Sequence, residues 1–278
     1  MKVLRLTKAQ ATQDGASVKI QRIAGFDGKS IDPFLMIDEL KSDNTQDFIG
    51  GFPAHPHRGI ETFTYIRKGG FEHQDQMGNK KAIRAGQVQW MSTGKGVIHS
   101  EMPLADAKQG MHGFQIWLNM PAKDKMNPPK YQDSSARPLP TITTDSKATL
   151  TALAGEWQTA GETVTSDLNQ LAGDGAISDV SLPVNSTLSL DLSHFGKVVA
   201  YIHSGKLKDP AHQAGYLLTL DPNTPIVLET AEYEAGLLLL AGQPINERIA
   251  HMGPFVMNTQ AEIQQAVRDY HAGLFGNI

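Results

Sequence analysis

The stretch HPHRGIETFTYIRKGG, residues 55–70, sets two histidines two apart, a glutamate four beyond the second, and then a strand-like run that ends on a glycine pair. The β-branched and aromatic residues from Thr62 to Ile66 favour a pleated strand, and Gly69-Gly70 supplies a turn. AYIHSGK, residues 200–206, repeats the end of this pattern: Tyr201-Ile202 and Gly205 stand 136 residues after Tyr65-Ile66 and Gly69. The echo predicts two copies of one β-barrel unit.

The flanking sequence supports an all-β reading. Short apolar runs such as VKIQRI (18–23), HGFQIWLNM (112–120), TLSLDL (187–192), GYLLTL (215–220) and PIVLET (225–230) lie between turn signals, with 26 glycines and 15 prolines in 278 residues. Two stretches read as helical. TSDLNQLAG (165–173) is short and ends on Gly173, and QAEIQQAVRDYHAGLFG (260–276) places Ile263, Val267, Tyr270 and Leu274 on one face. The segment 121–145 is rich in Pro, Ser, Lys and Asp and breaks the strand rhythm, so it reads as a linker and divides the chain into domains 1–132 and 133–278.

Composition excludes several function classes. A net charge of −4 offers no field for a nucleic-acid backbone or an anionic membrane. The local basic clusters GNKKAIR (78–84) and PAKDKMNPPK (121–130) read as solvated loop charge. The absence of cysteine removes disulfides, thiolate zinc sites and thiol nucleophiles together. The opening MKVLRLTKAQATQDG lacks the apolar run of a signal peptide, and AGLLLLAG (235–242) is too short to cross a bilayer, which makes a cytoplasmic protein the expectation. No dinucleotide fingerprint, P-loop or serine-hydrolase elbow is present.

The histidines are the chemistry that remains. If 55–66 is extended, His55, His57, Gly59 and Glu61 share a face, and Pro56 places them on an edge strand or a strand start. GKGVIHSEMP (94–103) adds His99 and Glu101, again two apart on one face. Imidazoles with a carboxylate suit divalent iron, manganese, nickel, copper or zinc, and two histidines plus a carboxylate with open positions suit non-haem iron in particular. Strand parity does not choose between Glu61 and Glu101. His73 and His112 read as loop or backbone-bonded polar groups, and Asp38 and Glu39 as turn caps.

IDPFLMIDEL (31–40), HPHRGIETFTYI (55–66), QWMSTGKGVIHSEMP (89–103), GFQIWLNMPAKDKMNPPKYQ (113–132) and LLLLAGQPINERIAHMGPFVMNT (237–259) together resemble the pirin family, bicupins of the cupin superfamily. The resemblance implies two tandem cupin (jelly-roll-like) β-barrels with a few short helices and a C-terminal helix. It places one metal ion in the N-terminal barrel on His55, His57, His99 and Glu101, with Fe(II) as the ion and Ni, Cu, Mn, Co or Zn also compatible with the ligand types. Glu61 is then a neighbour of the ligands, and the C-terminal barrel is metal-free. The activity implied is oxygen-dependent ring opening of flavonols, of the quercetin 2,3-dioxygenase type, with Glu101 or Glu61 as the base and Phe52, Phe63, Trp90 and Met91 as apolar walls. The alternative is a non-enzymatic, redox-sensing protein that binds a partner, either a transcription regulator or a metabolic enzyme subunit.

Overall fold

In the computed structural model, which describes residues 1–26, 31–107, 109–159 and 161–278, the run after His57 forms the strand Ile60–Lys68, third in a seven-stranded antiparallel sheet. Its order is Lys130–Asp133, Gln87–Ser92, Ile60–Lys68, Met111–Asn119, Phe34–Ser42, Val18–Ala24, Gln10–Asp14. A four-stranded sheet, Phe52–His57, Val97–Pro103, Gly70–Asp75, Lys80–Arg84, completes the barrel. Phe52–His57 lies at the edge of its sheet, where Pro53 and Pro56 cost no ladder bonds on the open side.

The chain is organised as two units, each built on a seven-stranded and a four-stranded sheet, with a two-stranded sheet, Ala250–Met252 and Phe255–Met257, added to the unit that contains residues 245–278. The first contains Phe34–Pro138, the strands between residues 11 and 24, and Ile245–Ile278; the second contains Leu139–Pro244 and Met1–Gln10. The echo noted in the sequence is structural. Tyr201 and Ile202 lie on Lys197–Gly205, which is third in its sheet from the same edge as Ile60–Lys68. A single cut after residue 132 does not describe the two ends of the chain. Val3–Lys8 pairs with Tyr216–Leu220, and Ile263 and Ala266 of the C-terminal helix pack on Ala250, Phe255 and Met257. The second barrel is filled by an apolar cluster that includes Trp157, Val198, Leu218, Leu237 and Leu239.

The C-terminal helix runs Gln260–His271, opened by a capping box between Thr259 and Glu262. Leu274 lies past its end and is exposed, so the apolar face narrows to Ile263, Ala266, Val267 and Tyr270. The helix expected over 165–173 does not form. The Ser166 hydroxyl donates to the Leu153 carbonyl and accepts from the Leu168 N–H, a local bonding pattern that competes with a helix, and only a 3-10 turn, Ala172–Asp174, follows. No helix among the described residues is long and apolar enough to cross a membrane.

A glycine decides where the ligand strand stops. Gly59 has φ +81 and turns the chain from one sheet to the other, so 55–66 is not one extended run. A Cβ here would come within 2.1 Å of the Val256 carbonyl oxygen. Gly59→Ala is therefore expected to destabilise the protein by about 2–4 kcal/mol, read as a lower denaturant midpoint with an unchanged slope.

Candidate metal centre

Alternation along two neighbouring strands brings the histidines together. His99 on Val97–Pro103 stands opposite His55, and Val97 opposite His57. The side chains of His55, His57 and His99 converge so that one nitrogen from each lies within 4.8 Å of the others. His57 and His99 are buried, and His55 is partly open. Ring centroids are 4.4 Å apart for His55–His99, 4.8 Å for His55–His57 and 5.1 Å for His57–His99.

Hydrogen bonds fix which nitrogen faces inward. His55 Nδ1 meets the Pro53 carbonyl at 2.8 Å and His57 Nδ1 meets the Pro254 carbonyl at 3.3 Å. Donation to a carbonyl assigns the proton to Nδ1 and leaves the Nε2 lone pair free. Burial holds the pKa of His57 and of His99 well below the ordinary histidine range, and repulsion from His55 adds to this, so both rings are neutral and able to ligate. His55 Nε2 and His99 Nε2 are 3.0 Å apart. Two nitrogens each about 2.1 Å from a shared cation, at right angles, have about this spacing. The donor set and its spacing fit a divalent metal ion.

Glu101 lies on the same face of its strand as His99 but does not join the cluster. Its carboxylate accepts from the Thr64 hydroxyl at 2.9 Å, from the Gln89 amide, and from the Gln115 amide at 3.4 Å. Glu61 stands elsewhere. Ile60–Lys68 is regular from Ile60 to Ile66, so Thr64, which touches Glu101, and Glu61 point to opposite faces of the sheet. Glu61 therefore shares the outer face with Phe63, Trp90 and Leu118, and the expectation of a second carboxylate beside the histidines is corrected. The parity reading failed because the Gly59 turn breaks the strand between His57 and Glu61.

The histidines open onto a cleft of about 650 Å³, a volume usual for small-ligand sites. Phe52, Met36, Trp117 and Pro254 wall it near His55 and His57, and Gln115 reaches it from the barrel interior. Of the walls expected from sequence, Phe52 lines the cleft, Phe63 and Trp90 face outward, and Met91 is buried on the inner face opposite Thr62 without lining the cleft. Trp117 packs edge-on against His57, centroids 5.0 Å apart. Alternation along GFQIWLNM already puts Gln115 and Trp117 on one face, so these two were open to sequence reasoning. Pro254 was not, because it reaches His57 from 197 residues away.

Several weaker sequence readings change. His73 is fully buried, bonded through Nε2 to Asp75 at 3.0 Å and stacked on Tyr131. Asp38 and Glu39 are mid-strand rather than turn caps: Asp38 pairs with Arg22 and Glu39 with His112. Lys125, expected in solvated loop charge, is 1% exposed, and its ammonium donates to Gly59 O, Asn119 Oδ1 and Val256 O, each at 2.8 Å.

Residues 17–118 match the family model described as Pirin, and residues 177–276 match the one described as Pirin C-terminal cupin domain. A Vibrio cholerae protein named "Putative quercetin 2,3-dioxygenase" is 45% identical over 96% of this chain and 95% of its own length. A pirin-like protein of Caulobacter vibrioides is 37% identical over 98% of each chain. The crystal structure of a quercetin 2,3-dioxygenase from Acinetobacter baumannii superimposes with a TM-score of 0.88 at 29% identity, covering 100% of this chain and 99% of that one.

Proposed function

The chain belongs to the pirin family, and on that premise we propose that it is a metal-dependent dioxygenase that opens the ring of flavonols, of the quercetin 2,3-dioxygenase type. The observation that carries the reading is the convergence of three imidazoles at the wall of an open cleft with apolar sides. A site that served only structure would be closed around its ion. The names of the Vibrio and Acinetobacter relatives point to the same chemistry.

His55, His57 and His99 would hold one divalent ion, taken as Fe(II), with Glu101, which shares a strand face with His99 but stands outside the three-histidine cluster, as a loosely held fourth ligand free to act as the base. Such an ion supplies Lewis acidity toward a phenolic oxygen and one-electron exchange with dioxygen. The protein residues do the rest. Trp117, Phe52 and Pro254 exclude water and give an aromatic ring a flat apolar bed. Glu101 Oε2, which among the described residues carries only the long contact to Gln115, would take the proton of the substrate's 3-hydroxyl. Thr64 and Gln89 hold the other carboxylate oxygen, which fixes the orientation of the base.

The test is oxygen uptake by anaerobically iron-loaded protein on mixing with quercetin. The expected result is consumption of one dioxygen per flavonol, with loss of the flavonol absorbance and none in the chelated protein. Failure of uptake at one bound ion per chain would overturn the enzyme and leave the redox-sensing, partner-binding role.

A further inference from the structure

The inner face of the seven-stranded sheet carries one polar row that crosses five strands. In register order it reads Arg22, Asp38, Gln115, Thr64, Gln89. The second barrel has the same topology and serves as an internal comparison. The matching row there is Ala152, Ser178, Leu239, Ala200, Leu218, which is almost entirely apolar. Folding this sheet does not require the polar row. Thr64, Gln89 and Gln115 have a role already, since they hold Glu101. Arg22 and Asp38 do not touch Glu101; both line the cleft instead, together with Asp14.

The geometry of that end is specific. Arg22 Nε donates to Asp38 Oδ1 at 2.9 Å, and Nη2 donates to Asp38 Oδ2 at 2.8 Å and to Asp14 Oδ2 at 3.0 Å. The guanidinium is fixed as a bidentate fork, with its side chain 37% exposed. Nη1 has no partner among the described residues and keeps two donors. Asp14 is half exposed, and among the described residues it accepts only the Gly15 N–H beyond Arg22, so it retains acceptor capacity. With two carboxylates against one guanidinium, the wall is net negative by one charge. A ligand carboxylate would face repulsion there. An uncharged phenolic hydroxyl would not: its oxygen can accept from Arg22 Nη1 while its proton goes to Asp14.

We propose that Arg22, held by Asp38 and Asp14, is a specificity-determining residue that selects uncharged aromatic substrates bearing a hydroxyl on the part of the molecule remote from the histidines. The proposal rests on the flavonol reading above and narrows it to polyhydroxylated members, against both the bare 3-hydroxyl compound and aromatic acids.

The test is equilibrium binding to zinc-loaded protein, in which no turnover occurs, followed by titration calorimetry. The probes are quercetin, which carries hydroxyls on both ring systems, 3-hydroxyflavone, which carries one, and 2-hydroxybenzoate as the aromatic acid. Quercetin is expected to bind about tenfold more tightly than 3-hydroxyflavone, the size of one satisfied hydrogen bond to a charged group. Arg22→Lys keeps the charge and loses the fork, and the ratio should fall to about threefold or less because quercetin weakens. Asp14→Asn, at an exposed position that does not threaten folding, should lower the same ratio. Zinc stoichiometry, measured alongside, separates a lost site from a lost contact. Equal binding of the two flavonols by the natural protein, a ratio that survives both substitutions, or tighter binding of 2-hydroxybenzoate than of quercetin would overturn the proposal. If both flavonols bind equally, only the Arg22 assignment falls; if neither binds, the flavonol reading falls with it.

Discussion

His57→Ala is expected to give a folded protein that no longer retains its metal. The imidazole is 2% exposed, its Nδ1 is committed to the Pro254 carbonyl, and its ring abuts Trp117. Alanine removes one of three converging nitrogens and leaves only His55 and His99 of the cluster. Loss of a ligand from such a set should weaken binding by at least about 10³-fold, on the order of 4 kcal/mol. Flavonol-dependent oxygen uptake should drop by at least the same factor. Stability should suffer far less. The apolar cluster that holds this barrel, built on Val18, Ile20, Ile66, Phe71 and Ile83, does not include His57. The vacated space borders the open cleft, and the substitution also relieves crowding among imidazoles that burial keeps neutral. A cost of about 1–2 kcal/mol is expected. Metal per chain by elemental analysis, thermal unfolding and oxygen uptake, on the same preparations, check all three points. A variant that keeps one ion per chain and full uptake would remove His57 from the site and, with it, the premise of the metal centre.

Much of this site was legible because strands reveal their faces. Two histidines spaced by two on one strand and a histidine two before a glutamate on another predict convergence as soon as the strands pair, and the structure pairs them directly, His55 opposite His99. The repeat was legible for a related reason: a central strand buried on both faces has little freedom in composition, so Tyr65-Ile66 and Tyr201-Ile202 survive as an echo. What failed had nonlocal causes. Glu61 was misplaced because parity was carried across Gly59, where a left-handed turn takes the chain into the opposite sheet. The stretch 165–173 has helical periodicity, but Leu168 and Leu171 are buried without a helix while Ser166 bonds to the adjacent backbone. The ends of the chain exchange allegiance through strand pairing and helix packing that no local pattern announces. Arg22, Asp38 and Gln115 come from three strands, and only the register reveals that they form one row.

Lys125→Met is the second substitution with a large expected effect, and it tests how the residues after the second barrel come to serve the first. Lys125 ties the turn at Gly59, two residues past His57, to Val256, two residues past Pro254. The Val256 N–H donates to the Arg58 carbonyl at 3.1 Å, and Arg58 bonds to Asp269 of the C-terminal helix at 2.7 Å. The Pro254 carbonyl that orients His57 is therefore held in place largely by this clasp. Methionine fills similar volume but leaves Gly59 O, Asn119 Oδ1 and Val256 O without their donor. At about 1 kcal/mol or more for each buried acceptor, partly offset by removal of a buried charge, the net loss at pH 7 should be about 2–3 kcal/mol. Metal affinity should fall by about 10- to 100-fold as His57 loses its fixed partner. The pH dependence supplies an independent signature. Burial lowers the Lys125 pKa from 10.5 to about 8, so between these values the unfolded chain binds a proton that the folded protein does not. Stability contributed by this group therefore rises from pH 8 to pH 10.5, by a total of about 3 kcal/mol, and below pH 8 the buried charge weighs against folding. The methionine variant lacks that rise, so its deficit relative to the natural protein should be larger at pH 10 than at pH 7. Denaturant unfolding of both proteins at the two pH values, with a chelator competition at pH 7, measures each effect. A deficit that is the same at both pH values would mean that Lys125 does not titrate in this range, and an unchanged chelator curve would mean that the clasp does not reach His57.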